Sequence, residues 1–187
     1  MEPLVDILAR ARVSPSAVTM AGLCITAVAA WQAWAGHYAA SAAVLAAGSL
    51  LDAVDGGLAR KTGRVTRGGA VLDSSCDRVG EFLMFTALMT GRAAAGSEAV
   101  RYLAPAALGG SFMVSYARAR AEGVGIACSS GFFTRTERLV LMVLSLAATV
   151  PVGDARPISW MLAVVAAGSW ATAAGRLAGV FRADRKA

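Results

Sequence analysis

The chain has 187 residues, 57% hydrophobic and only 7% aromatic, an apolar share above what the core of one soluble domain of this length needs. Its 18 basic and 12 acidic residues leave a formal charge of +6, but the basic residues sit at the ends of apolar runs with no interleaved aromatic residues to stack on bases. This weighs against a nucleic-acid surface, and the lack of polar faces on the runs weighs against a soluble, Ala-rich bundle.

In chain order, residues 1–14 read as a short amphipathic lead-in along a membrane surface, unlike a cleavable export signal. Six segments without Asp, Glu, Lys or Arg follow: Thr19 to Trp34, Tyr38 to Leu51, Phe82 to Met89, Tyr102 to Tyr116, Leu139 to Val150 and Trp160 to Ala174. They predict an all-α integral membrane protein, one six-helix domain over residues 15–177 with a basic tail over 178–187. Several runs fall short of the roughly 20 residues that hydrocarbon demands, so residues whose charges face the bundle interior must complete them. Stretches such as Ala39 to Leu51 are rich in Ala and Gly, which lets membrane helices approach closely. Cys24, Cys76 and Cys128 lack metal-site spacing and are expected to be small buried thiols.

Of the 18 basic residues, all but Arg92, Arg101 and Arg156 fall on one side of this six-span arrangement. The positive-inside rule then places both termini in the cytoplasm and the protein in the cell (inner) membrane. His37, the only histidine, falls at the opposite face and is expected to be interfacial.

Leu51 to Arg78, LDAVDGGLARKTGRVTRGGAVLDSSCDR, carries the chemistry. Asp52 and Asp55 are about 60° apart around a helix axis, and Asp73 and Asp77 about 40°, so each helix presents two carboxylates on one face. Four acids at membrane helix ends are costly unless cations compensate them. They form either a salt-bridge network with Arg60 and Arg78 or a set of hard oxygen ligands suited to Mg2+ or Mn2+. Gly56 and Gly57, and Gly68, Gly69 and Ala70, leave room beside the acids for a bulky ligand to approach the backbone.

The pattern Asp52-x2-Asp55-Gly56-x2-Ala59-Arg60-x8-Gly69-x3-Asp73-x3-Asp77 resembles in full the motif of the CDP-alcohol phosphotransferases, membrane enzymes of phospholipid synthesis, and the likeness runs from about Ser14 to Arg176. It implies that Asp52, Asp55, Asp73 and Asp77 hold metal, usually two ions, with Asp77 also the general base toward the acceptor hydroxyl. It further implies a cytidine nucleotide pocket at Gly56, Ala59, Arg60 and Gly69, with Asp52, Asp73 and Thr19 as further contacts, and a homodimer. One departure is visible: many members carry Pro-Asn-x-x-Thr where this chain has Pro15-Ser16-Ala17-Val18-Thr19.

The acceptor is argued from a second basic cluster. Arg118, Arg135, Arg138 and Arg176 are expected at cytoplasmic helix ends without evident matching acids, which suggests a receptor for a phosphate; lipid-headgroup contact is the plainer alternative. Ser115-Tyr116-Ala117-Arg118-Ala119-Arg120-Ala121-Glu122, followed by Arg135-Thr136-Glu137-Arg138-Leu139, resembles the phosphatidylinositol phosphate and archaetidylinositol phosphate synthase branch. That implies transfer from CDP-diacylglycerol or CDP-archaeol to inositol 1-phosphate, with the four arginines on its phosphate and Arg120, Glu122 and Glu137 as orienting partners. Glycerol 3-phosphate is the alternative acceptor, and an ion-binding transporter the alternative of another class. With no Ser-His pair or reactive-looking Cys, displacement in one step is expected.

Overall fold

The structure, a computed structural model, describes residues 6, 9–11, 13–128 and 131–185; the side chains of Asp52, Ala53 and Asp55 lie outside that description. It is all-α: α1 (Pro15–Trp34), α2 (Tyr38–Lys61), α3 (Arg67–Thr90), the short α4 (Arg92–Gly96), α5 (Glu98–Gly123), α6 (Arg135–Val152) and α7 (Arg156–Asp184), with no strand among the described residues.

Local chemistry sets several boundaries. Ser14 accepts from the Ala17 N–H at 3.2 Å, with Pro15 opening α1, and Thr66 accepts from the Gly69 N–H at 2.9 Å to start α3. At the start of α6, Thr134 and Glu137 form a reciprocal capping box, and each cap meets N–H groups that have no partner within their own helix.

Helices α1, α2 and α7 are long and apolar enough to cross a membrane. Helix α3 carries Arg67, Asp73, Asp77, Arg78 and Glu81 ahead of its apolar end, so the run at Phe82 to Met89 is only the last part of a 24-residue helix. Asp77 and Glu81 turn inward, their side chains only 15% and 12% exposed, as expected of charges that complete a short span. Helix α4 was not foreseen.

The starts of α1, α3 and α6 meet around Thr19, Asp77 and Arg135, while the ends of α1 and α6 meet α4 and the start of α2 around Gly36, His37, Arg92 and Asp154. Helices α2, α5 and α7 run the other way, since Lys61 pairs with Asp6 and Arg176 reaches the Val114 carbonyl. Asp6 and the end of α7 therefore share the end of the bundle that carries Asp77. Ala9 and Val13 pack on Val18, Val54 and Leu58 there; residues 1–5, 7, 8 and 12 of the amphipathic lead-in, and the last two residues of the tail, lie outside the described residues.

Between the ends runs an apolar core that includes Phe85, Leu88, Leu146, Ile158 and Leu162, each buried. Two glycines let helices close on it: a Cβ on Gly110 of α5 would stand 2.9 Å from Ser169 Cβ of α7, and one on Gly80 of α3 would stand 3.2 Å from Thr26 Cγ2 of α1. His37 lies exposed at the end away from Asp77, with Nδ1 2.9 Å from Gln32 Oε1. One expectation fails: Cys24 is exposed on α1 and Cys76 half-buried, so of the three thiols only Cys128 is buried. Cys24 lies on an exposed face of α1, where a small apolar thiol suits lipid as well as a core.

Candidate active site

Asp73 and Asp77 lie one turn apart on α3, both partly buried. Asp77 lines a cavity that begins among polar groups and narrows onto Leu45, Met84, Phe85 and Met142. Thr19, buried on α1, lines the same cavity, its hydroxyl donating to the Pro15 carbonyl at 3.2 Å.

Charged groups converge at the polar end. Arg135 Nη1 is 2.6 Å from Asp77 Oδ1. Glu81, one turn beyond Asp77, receives Arg138 Nε at 2.8 Å and Nη2 at 2.6 Å, both on Oε1. Arg78 sits between the two acids, with Nε 3.2 Å from Glu81 Oε2 and Nη2 3.8 Å from Asp77 Oδ2, while its Nη1 donates to Ser115 Oγ of α5 at 2.6 Å. The Arg78–Glu81 contact is an ion pair without hydrogen-bond alignment, as Arg78 Nε and Glu81 Oε2 are buried with no hydrogen-bond partner. Charge-assisted contacts in so dry a place fix orientation strongly.

The basic cluster thus differs from expectation. Acids do match its arginines: Asp77 faces Arg135, Glu81 faces Arg138, and Glu122 holds Arg118 at 2.8 Å on an exposed turn of α5. Arg138 and Arg176 are buried, and Arg176 Nη1 donates to the Val114 carbonyl at 2.6 Å. Arg118 and Arg138 both lie near enough to Arg176 to repel it electrostatically, and Glu122 near enough to attract it. Arg135 and Arg138 therefore line the cavity with Asp77, whereas Arg176, bound to the Val114 carbonyl, and Arg118, exposed on α5, do not. Glu122 orients Arg118, while Glu137 is occupied with the cap of α6.

Of the remaining positions, Gly56 and Arg60 share one face of α2, since a Cβ on Gly56 would meet Arg60 Nη1 at 3.5 Å; Ala59 is half-buried in the same turn. Gly69 serves the cap first: its N–H binds Thr66, and a Cβ would press to 3.0 Å from that hydroxyl. Gly68 faces open space. Among the described residues no three His, Cys, Asp or Glu side chains form a metal-holding group, with Asp52 and Asp55 outside the description. The donor set nevertheless suits a divalent ion: Asp73 and Asp77 offer hard carboxylate oxygens from adjacent turns of α3, and Asp52 and Asp55 belong to a helix that ends beside the start of α3.

Glu81 is the residue that sequence reasoning passed over. It continues the i, i+4 face of Asp73 and Asp77 into an apolar run, and a lone acid there signals an inward-facing partner for a cation.

The sequence profile of CDP-alcohol phosphatidyltransferases matches residues 12–174. A phosphatidylinositol phosphate synthase from Mycobacteroides abscessus is 32% identical, over 94% of this chain and 80% of its own. An archaetidylinositol phosphate synthase from Pyrococcus horikoshii is 33% identical, over 78% of this chain and 75% of its own. The fold is similar to the crystal structure of Mycobacterium tuberculosis phosphatidylinositol phosphate synthase with CDP-DAG bound, at a TM-score of 0.87 and 30% identity over 96% of this chain and 92% of that one. The same mycobacterial protein has been solved with manganese and citrate, at a TM-score of 0.86 over 96% of this chain and 88% of that one. An all-helical fold with apolar helices, a carboxylate- and arginine-lined cavity at one end and these relatives lead to one conclusion: the chain belongs to the CDP-alcohol phosphatidyltransferase family, the membrane transferases of phospholipid synthesis.

Proposed function

We propose that the chain transfers a phosphatidyl-type group, diacyl or archaeal diether, from a CDP-linked lipid to inositol 1-phosphate, releasing CMP. The observation that carries this reading is that Asp77, Arg135 and Arg138 line one cavity: a carboxylate that can take a proton stands beside guanidiniums that can hold a phosphate. A phosphate dianion arriving there offers Arg135 and Arg138 bidentate partners. Drawing Arg135 toward the acceptor loosens its hold on Asp77, which then faces the acceptor hydroxyl as general base. An ordinary carboxylate is a weak base, with a reference pKa near 4, so alignment of the alcohol must supply much of the rate. The apolar floor of Leu45, Met84, Phe85 and Met142 keeps water from competing as nucleophile.

Asp52, Asp55, Asp73 and Asp77 are the residues that would hold two ions of Mg2+ or Mn2+, and the relative with manganese and citrate supports that assignment. Bound metal supplies neutralisation of the diphosphate charge as CMP departs. Gly56, Ala59 and Arg60 would receive the cytidine nucleotide, in keeping with the relative that binds CDP-DAG. All six long helices cross the inner membrane, and the Asp77 end faces the cytoplasm with both termini.

Glycerol 3-phosphate is the second reading, because Arg135 and Arg138 can grip either phosphate. The test offers purified protein CDP-diacylglycerol or CDP-archaeol with Mn2+ and, in turn, inositol 1-phosphate, glycerol 3-phosphate, free inositol or serine, and follows CMP. Release with inositol 1-phosphate alone is expected. Release with glycerol 3-phosphate instead selects the second reading, and release with only an unphosphorylated alcohol refutes both. Chelation by EDTA should stop release in every case.

A further inference from the structure

Asp77 and Glu81, one turn apart on α3, compete for the same arginine. Arg78 leans to Glu81: its Nε is 3.2 Å from Glu81 Oε2, while its Nη2 is 3.8 Å from Asp77 Oδ2, beyond hydrogen-bond reach. Glu81 also takes two donors of Arg138, at 2.6 and 2.8 Å. The guanidinium of Arg138 is 2% exposed, so an uncompensated charge there would be costly. Three guanidiniums, those of Arg78, Arg135 and Arg138, face Asp77 and Glu81. Arg135 pairs with Asp77 at 2.6 Å, which shows that a guanidinium in this cavity can settle on that carboxylate.

We propose that Glu81 is a positioning residue that draws Arg78 and Arg138 away from Asp77 and so keeps the Asp77 carboxylate available to a divalent metal ion. The inference rests on the reading of Asp77 as a metal ligand. A guanidinium and a metal ion want the same carboxylate oxygens, and each excludes the other by charge and by space. With a neutral side chain at position 81, Arg78 keeps Ser115 but loses its nearest anion. The next is Asp77 Oδ2, reached by a small swing of a side chain already 3.8 Å away. Glu81 thereby acts on metal binding from outside the ligand set, through the arginine it restrains.

The test compares the full chain in detergent with Glu81→Gln, Arg78→Gln and the double substitution, using electron paramagnetic resonance to titrate Mn2+ binding, without turnover. Glu81→Gln should bind Mn2+ about tenfold more weakly, the size of a direct coupling between neighbouring charges. In the double variant the competing arginine is absent, and affinity should return to within about threefold of the unsubstituted protein. A purely structural role predicts a loss that the second substitution does not relieve, and that result overturns the inference. So does equal Mn2+ binding by Glu81→Gln and the unsubstituted chain. If the unsubstituted chain binds no Mn2+, the metal reading of Asp77 falls and this inference with it. Should Glu81→Gln fail to fold, Arg78→Gln, which leaves the Glu81–Arg138 pair intact, decides: Mn2+ binding at least as tight as in the unsubstituted chain supports the proposal, and weaker binding refutes it.

Discussion

Arg118 and Arg138 are both arginines at the same end of the bundle, yet their surroundings give them different consequences. Arg138 is buried, its Nε and Nη2 given to Glu81. Arg138→Ala leaves Glu81 in a dry site without its nearest cation, a loss of about 3–5 kcal/mol. Arg118 is 55% exposed and pairs with an exposed Glu122, so Arg118→Ala should cost at most about 1 kcal/mol. Thermal unfolding in detergent checks both, and a larger loss from Arg118→Ala than from Arg138→Ala would mean the burial has been misjudged. Asp77 stands apart from this comparison because its value lies in turnover. Asp77→Asn keeps the shape and removes the base, and should lower CMP release by about a hundredfold or more, with CDP-lipid binding largely retained. Steady-state kinetics beside a direct lipid-binding measurement separate the two effects.

At the level of helices, close approach is the controlling fact. Gly109 and Gly110 are neighbours on α5, but a Cβ on Gly110 would lie 2.9 Å from Ser169 Cβ, whereas one on Gly109 meets only Trp170 Cζ2 at 3.6 Å. Gly110→Ala must push α5 and α7 apart and should lose about 1–3 kcal/mol. Gly109→Ala has room, and the higher helix propensity of Ala makes it neutral or stabilising by up to about 1 kcal/mol. Unfolding midpoints of the two variants, measured side by side, test the packing of this pair. The same helices show what could be read in advance. Apolar runs announced α1, α2 and α7 because no charged residue interrupts them. Phe82 to Met89 understated α3, since five charged residues precede that run in the helix and only packing reveals that Asp77 and Glu81 point inward. Helix α4 left no trace in the pattern: Arg92–Gly96 is too short to show a period. Within the site, the spacing of Asp73 and Asp77 was legible because a helix fixes the angle between residues four apart. The pairing of Arg135 with Asp77 and of Arg138 with Glu81 was not, because partners on different helices depend on how the bundle closes.

Across the whole molecule, the two ends differ in chemistry in a way that sets its place in a bilayer. Trp31, Trp34, Tyr102 and Trp160 lie near the end away from Asp77 and expose half or more of their surface, the arrangement of rings seated at a lipid–water boundary. The other end holds most of the arginines, which favour the anionic cytoplasmic leaflet. Together they support the proposed orientation, in which the aromatic end lies outside and the carboxylate cavity at the inner surface, where a water-soluble acceptor and CMP can come and go. This orientation predicts the reach of a membrane-impermeant maleimide. In a background with Cys24, Cys76 and Cys128 replaced by Ala, Asp154→Cys lies in the exposed turn between α6 and α7 and should be labelled in intact cells or spheroplasts. Arg64→Cys lies in the exposed turn between α2 and α3 and should react only after the membrane is opened. The reverse pattern would turn the protein over and put the Asp77 cavity on the face opposite the cytoplasm. Labelling of both sites in sealed cells would mean that the three long helices between the two turns, α3, α5 and α6, do not all cross.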